Sequence, residues 1–252
     1  MNSLSAAELA IYIILCIPVL YILVRHWPNG VLGWFYLFAF CTLRIISGAM
    51  SLKNHGGSAS IISSVGISPL LLAACGILHE ARAYRAINLL QKPFEVIIVT
   101  VFHMFVTGGL ALVAAGASAL QNHHSSAATA LRSLRLLQAG MAILTVSWVL
   151  LVLCAVASAW PLRKAERNAV LFRDGTILLL SVIFSLIFIG IRVLYSLVAF
   201  STQKPYLNPA TGSLTIRVLL SFLPELIATC SFIFAGVQTR RIARDYHGVP
   251  KS

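Results

Sequence analysis

Seven nearly continuous apolar runs take up most of this chain, at about residues 6–25, 30–52, 60–81, 93–115, 133–159, 176–200 and 215–237. A helix crosses the hydrocarbon core of a bilayer with roughly 20 apolar residues, so each run is long enough to span. Their continuity argues against membrane strands, which alternate apolar and polar side chains. Irregular backbone facing lipid would leave its polar groups unsatisfied. The reading is an all-α membrane protein, a seven-transmembrane-helix bundle. Residues 1–237 form a single domain and 238–252 a short basic tail. A chain that is 59% hydrophobic and 10% charged could not hide that much apolar surface as a soluble globule.

The formal net charge of +12 invites a nucleic-acid partner, but the placement of the charges points elsewhere. Twelve Lys and Arg fall in the 1–2, 3–4 and 5–6 loops and the C-terminal tail, against five in the other loops. Cytoplasmic loops carry such an excess, which predicts an outside N-terminus and a cytosolic C-terminus. Anionic headgroups are then the natural neighbours of the basic loops. The first run lacks a basic leader and a cleavage site, and reads as a retained helix.

Three charges stand out deep inside spans. Arg192 is deep in the sixth run and Glu225 deep in the seventh, while Arg44 is in the second. A charge near the bilayer centre costs at least ~2.5–3.5 kcal/mol on insertion scales, so it needs a partner or a wet cavity. A hairpin of the sixth and seventh spans brings Arg192 and Glu225 to similar depth, which predicts an ion pair. A weak similarity links the two ends of the chain. LRIIS matches IRVLYS, and Pro69 precedes Cys75 by the same interval as Pro224 precedes Cys230. A 3+1+3 internal repeat follows from that reading. It would set Arg44, Arg192, Pro69, Pro224 and Glu225 at one depth, with net positive charge.

Other candidates are more ordinary. Ser68-Pro69 predicts a kink with an exposed carbonyl in the third span. Glu80 reads as a solvated interfacial charge beside Arg82 and Arg85. His103, near the middle of the fourth span, is a hydrogen-bonded structural histidine or a proton relay. Pro93 and Glu95 suit a helix start. Gly108 and Gly109 would allow close helix approach, and Trp27 and Trp34 would sit at the membrane interface. Cys16, Cys41, Cys75, Cys154 and Cys230 have neither metal nor disulfide spacing and read as packing residues. His123-His124 lacks a third ligand, so no metal is expected. No phosphate-cradling loop is present, so neither a nucleotide nor another cofactor is expected.

At FIGIRVLYSLVAF, followed by a short loop and the proline–acid span, and at SPLLLAAC, the chain resembles a known family. It is similar to fungal integral-membrane proteins of the lipid-translocating exporter (aminocholesterol-resistance) type or of a related fungal seven-helix group. Pro69, Ala73 and Ala74 correspond to that family's third-helix pattern, and Arg192 and Tyr195 to its arginine and tyrosine in the sixth helix. Ser196 and Phe200 stand where it usually has a second arginine and an acid, and Arg44 where it has an acid. The resemblance implies handling of membrane lipids or amphiphilic small molecules in a plasma membrane or endomembrane.

Three functions fit these residues. The first is transport or export of a lipid or amphiphilic metabolite, its polar head held by Arg44, Arg192, Glu225, Tyr195, His103 and Ser68. The second is an integral-membrane terpene or polyene cyclase of a fungal secondary-metabolite pathway, with Glu80 and Glu225 as its acids. The third is a seven-helix receptor or sensor.

Overall fold

The computed structural model describes residues 3–27, 30–53, 66–85, 93–120, 127–160, 171–204, 207 and 212–240. Among these residues the chain forms seven helices and no strand: α1 Ser3–Arg25, α2 Val31–Leu52, α3 Ile67–Arg85, α4 Pro93–Leu120, α5 Ala127–Ala159, α6 Phe172–Thr202 and α7 Leu214–Gln238. Six of them are long and apolar enough to cross a membrane. The exception is α3, whose 19 residues end in HEARAYR.

That helix lies at the centre. All its residues but His79 and Arg82 are buried, packed by α2, α4, α5 and α6. Two circuits of touching helices share the α3–α6 pair: α1, α2, α3, α6, α7 and α3, α4, α5, α6. Small residues account for the central position. Gly33 and Gly76 meet backbone to backbone at the α2–α3 crossing, where an added Cβ would stand 2.5–2.6 Å from main-chain atoms. A Cβ on Gly175 of α6 would stand 2.8 Å from the Ala81 carbonyl oxygen of α3. Without a hydrophobic force between helices in lipid, such close approach supplies dispersion contacts instead.

Contacts between termini fix the helix directions. Gly48 near the end of α2 touches Ser5 and Leu9 at the start of α1, while Trp34 near its start bonds Glu80 near the end of α3. Gly116 of α4 meets Ser133 and Leu137 early in α5, and Gln138 of α5 donates to the Phe200 carbonyl late in α6. Consecutive helices at these contacts therefore run antiparallel. The outward faces are apolar as well, with Ile14, Ile17, Val24, Met104, Leu153 and Phe234 all well exposed. A bundle apolar inside and out is built for lipid as its solvent.

Details depart from the sequence reading. Pro69 stands in the first turn of α3 as described, where proline is tolerated. The distorted proline is Pro224: it cannot donate to Leu220, and a π turn at Val218–Phe222 precedes it. Gly109 lies at the α4–α5 contact against Ile143, whereas Gly108 faces open space. Cys41 and Cys75 are buried, but Cys154 and Cys230 are exposed on outward faces. The side chain of Glu95, the His123-His124 pair, residues 161–170 and the tail from 241 lie outside the described residues.

Candidate functional site: two buried polar layers

Two polar layers interrupt the apolar interior. The first joins α2, α6 and α7. Arg192 Nε donates to Glu225 Oε1 at 2.7 Å, and Arg44 Nη2 donates to the same oxygen. All three side chains are buried, with Arg192 and Glu225 each 1% exposed. Arg192 also donates from Nη1 to Ser196 Oγ one turn on. Its Nη2 is buried with no hydrogen-bond partner among the described residues. The Arg44 guanidinium lies 5.5 Å from the centre of the Phe40 ring, and that of Arg192 lies 5.9 Å from the Tyr195 ring. Two guanidinium groups face one carboxylate, so the buried set carries an excess positive charge. Part-buried Glu8 and Arg217 lie within Coulombic range, with opposite signs.

More polar atoms border this layer. Tyr12 of α1 packs edge-on to Phe40 and Phe222, at 5.6 and 6.3 Å between ring centres, and its buried hydroxyl has no hydrogen-bond partner among the described residues. Ser68, in the first turn of α3, is fully buried, and its hydroxyl finds no hydrogen-bond partner among the described residues. Tyr195 donates its hydroxyl to the Leu207 carbonyl at 3.0 Å. His103 is elsewhere, on α4, with Nδ1 2.7 Å from the Val99 carbonyl. Since a carbonyl only accepts, Nδ1 carries the hydrogen, and the ring packs 5.4 Å from that of Tyr36. The structure brings Arg44, Arg192, Glu225 and Tyr195 together and leaves His103 outside.

The second layer is built on Glu80, and it overturns the reading of that residue as a solvated charge. Glu80 is 1% exposed. Its Oε1 lies 2.6 Å from His26 Nδ1 and accepts from Tyr84 Oη at 2.9 Å; Oε2 accepts from Trp34 Nε1 at 2.9 Å. His26, in the turn after α1, turns its Nε2 to the Gly236 carbonyl of α7 at 3.2 Å. Trp34 is therefore an interior donor rather than an interfacial aromatic. Glycines make the space. A Cβ on Gly30 would fall 2.5 Å from the Glu80 carboxylate, and one on Gly236 would fall 2.5 Å from the Trp34 ring. Burial alone would push the His26 imidazole down, but its hydrogen bond to Glu80 and that group's charge raise it above the ordinary 6.5.

Ten residues of α2 separate Trp34 from Arg44, which is about 15 Å of helix rise. Leu37, Phe40, Cys41, Ala228 and Phe232, all buried, fill that interval on α2 and α7. Glu80 and Glu225 thus belong to different layers and face no common space. His26, Trp34, Tyr84 and Tyr12 were not singled out as site residues from the sequence. The i, i+4 spacing of Glu80 and Tyr84 was the one local signal.

The family described as "Domain of unknown function (DUF7702)" matches residues 1–242. No curated protein and no solved structure matches the chain.

Proposed function

The chain belongs to the DUF7702 family, whose description assigns no activity, and from its interior we propose a seven-span protein that binds and translocates an anionic or zwitterionic amphiphile, a lipid or an amphiphilic metabolite. The observation that carries this reading is the buried Nη2 of Arg192, which has no hydrogen-bond partner beside a carboxylate shared by two arginines. A buried guanidinium donor left unsatisfied is costly, and a phosphate or carboxylate oxygen would satisfy it. The excess positive charge of the layer selects the same class of headgroup. Tyr12 and Ser68 offer further unsatisfied hydroxyls in the neighbouring helices. The tail of such a ligand would stay among the apolar side chains and the surrounding lipid.

In this reading α3 is the seventh span. The N-terminus is outside, because Arg25, Arg85 and Arg173 gather at the end that holds Glu80. A cyclase has less support. An olefin-protonating acid must direct a transferable proton toward its substrate, whereas Glu225 accepts from two guanidinium groups, and both oxygens of Glu80 are taken up by His26, Tyr84 and Trp34.

Ligand binding by the purified full chain in phosphatidylcholine nanodiscs tests the proposal. The probes are dodecyl phosphate and dodecyltrimethylammonium, read by thermal unfolding. A specific ligand at a hundred times its Kd stabilises by about 2.7 kcal/mol. Dodecyl phosphate is expected to raise the midpoint of the wild type and to lose that effect in Arg192→Lys, which keeps the charge but has no second terminal nitrogen. Equal responses to both probes, or an undiminished response in Arg192→Lys, would overturn it.

A further inference from the structure

The Glu80 layer has a hydrogen count that geometry imposes. The Gly236 carbonyl can only accept, so His26 Nε2 must carry a hydrogen. Nδ1 of the same ring lies 2.6 Å from Glu80 Oε1, and one hydrogen must lie between them as well. Either the imidazole holds both hydrogens against a carboxylate, or a carboxylic acid donates to the neutral ring. Both descriptions contain one more proton than a neutral imidazole and a carboxylate together. The two remaining donors, Trp34 Nε1 and Tyr84 Oη, keep their hydrogens at neutral pH and cannot replace it.

We propose that His26 and Glu80 form a proton-binding site whose occupancy latches the C-terminal end of α7 to the α2–α3 pair. With the proton bound, one imidazole ring bridges Glu80 on α3 and Gly236 on α7. When the proton leaves, the single remaining N–H serves either the carboxylate or the carbonyl. The carboxylate is charged and takes it, so the Nε2 lone pair faces the Gly236 oxygen and the tie to α7 is lost. The proton is the ligand, and no other group changes oxidation state or bonding.

Among the described residues, Glu80 is the partner that sets this equilibrium. From α3, Glu80 and Tyr84 face the ring. His79 and Arg82 lie roughly 100° and 200° around that helix from Glu80. Arg85 donates to the Ser158 carbonyl and lies over the Phe172 ring. From α1, Arg25 turns to Tyr21. From α2, Trp34 brings no titratable group, and from α7, exposed Arg240 follows the helix. The consequence reaches farther along α7, which carries Glu225 of the other layer. The latch stands whether or not that other layer binds an amphiphile, since its test needs no substrate.

The test is NMR of the full chain labelled in histidine nitrogen, in nanodiscs, with His26 assigned by comparison with His26→Gln. His26 is expected to be doubly protonated at neutral pH and to lose one proton at a midpoint above about 6.5. Tyr84→Phe removes one donor from the carboxylate, which then holds the proton more tightly, so the midpoint moves up. Glu80→Gln moves it down, and Tyr84→Phe carries the test if that variant does not fold. Amide exchange at the end of α7, corrected for intrinsic pH dependence, should accelerate above the wild-type midpoint. His26 nitrogen shifts that stay those of an isolated neutral imidazole from about pH 5 to 9, or a midpoint unmoved in Tyr84→Phe, would overturn the site. Unchanged exchange would overturn the latch.

Discussion

Arg192 and Glu225 approach to 2.7 Å with both side chains 1% exposed, in the middle of two adjacent helices. Arg44 of α2 ends on the same oxygen, so one carboxylate ties three helices. Removing one partner of a buried ion pair strands the other, and that costs about 3–5 kcal/mol. Glu225→Gln strands two guanidinium groups and is expected to lower stability by at least that much, seen as a lower unfolding midpoint in nanodiscs. The double variant Arg192→Gln/Glu225→Gln should recover part of the loss, because a single buried cation is then left. A double variant no more stable than Glu225→Gln would show that the arginine–glutamate interaction does not dominate.

Gly33 and Gly108 give opposite expectations for the same substitution. A Cβ on Gly33 meets the Ile77 backbone nitrogen at 2.6 Å, which must move. Gly33→Ala should therefore cost about 1–3 kcal/mol. Gly108 has nothing within 4 Å of its added Cβ. In the helix interior, alanine there should gain about 0.5–1 kcal/mol. Thermal unfolding of the two variants side by side checks both signs.

The pH dependence of stability follows from His26. Its folded value is raised above 6.5, chiefly because the Glu80 contact outweighs burial. The stabilisation is therefore fully present below about pH 6.5 and lost as pH rises through the folded value. The unfolding midpoint should fall as the pH rises above about 6.5 in the wild type and fall less in His26→Gln. A wild-type curve that rises over that interval would contradict the assignment.

Orientation can be read with membrane-impermeant thiol reagents on intact cells. Asn122→Cys, between α4 and α5, should label from outside, and Lys251→Cys should label after permeabilisation. Labelling of wild type supplies the baseline from its own cysteines. The opposite pattern would invert the bundle.

Much of the architecture was legible along the chain. Among the described residues every apolar run contains a helix, because a bilayer-length apolar segment satisfies its backbone only by hydrogen bonding to itself. The Arg192–Glu225 pairing was also legible, since two buried opposite charges on adjacent spans have few other ways to be satisfied. The Glu80 layer was not. Beside Arg82 and Arg85 its glutamate looked like part of a solvated cluster, but α3 turns it inward and Arg85 away, to the Ser158 carbonyl.

The sequence by itself determined the helical class and the pairing of Arg192 with Glu225, because these follow from transfer energies and from neighbours in the chain. The tertiary structure alone decided which distant residues complete each layer. His26, Trp34 and Gly236 reach Glu80 and its histidine through helix crossings at Gly33, Gly76 and Gly236 that let backbones and rings close in. A crossing depends on the shape of two surfaces at once, and no single helix encodes that shape alone.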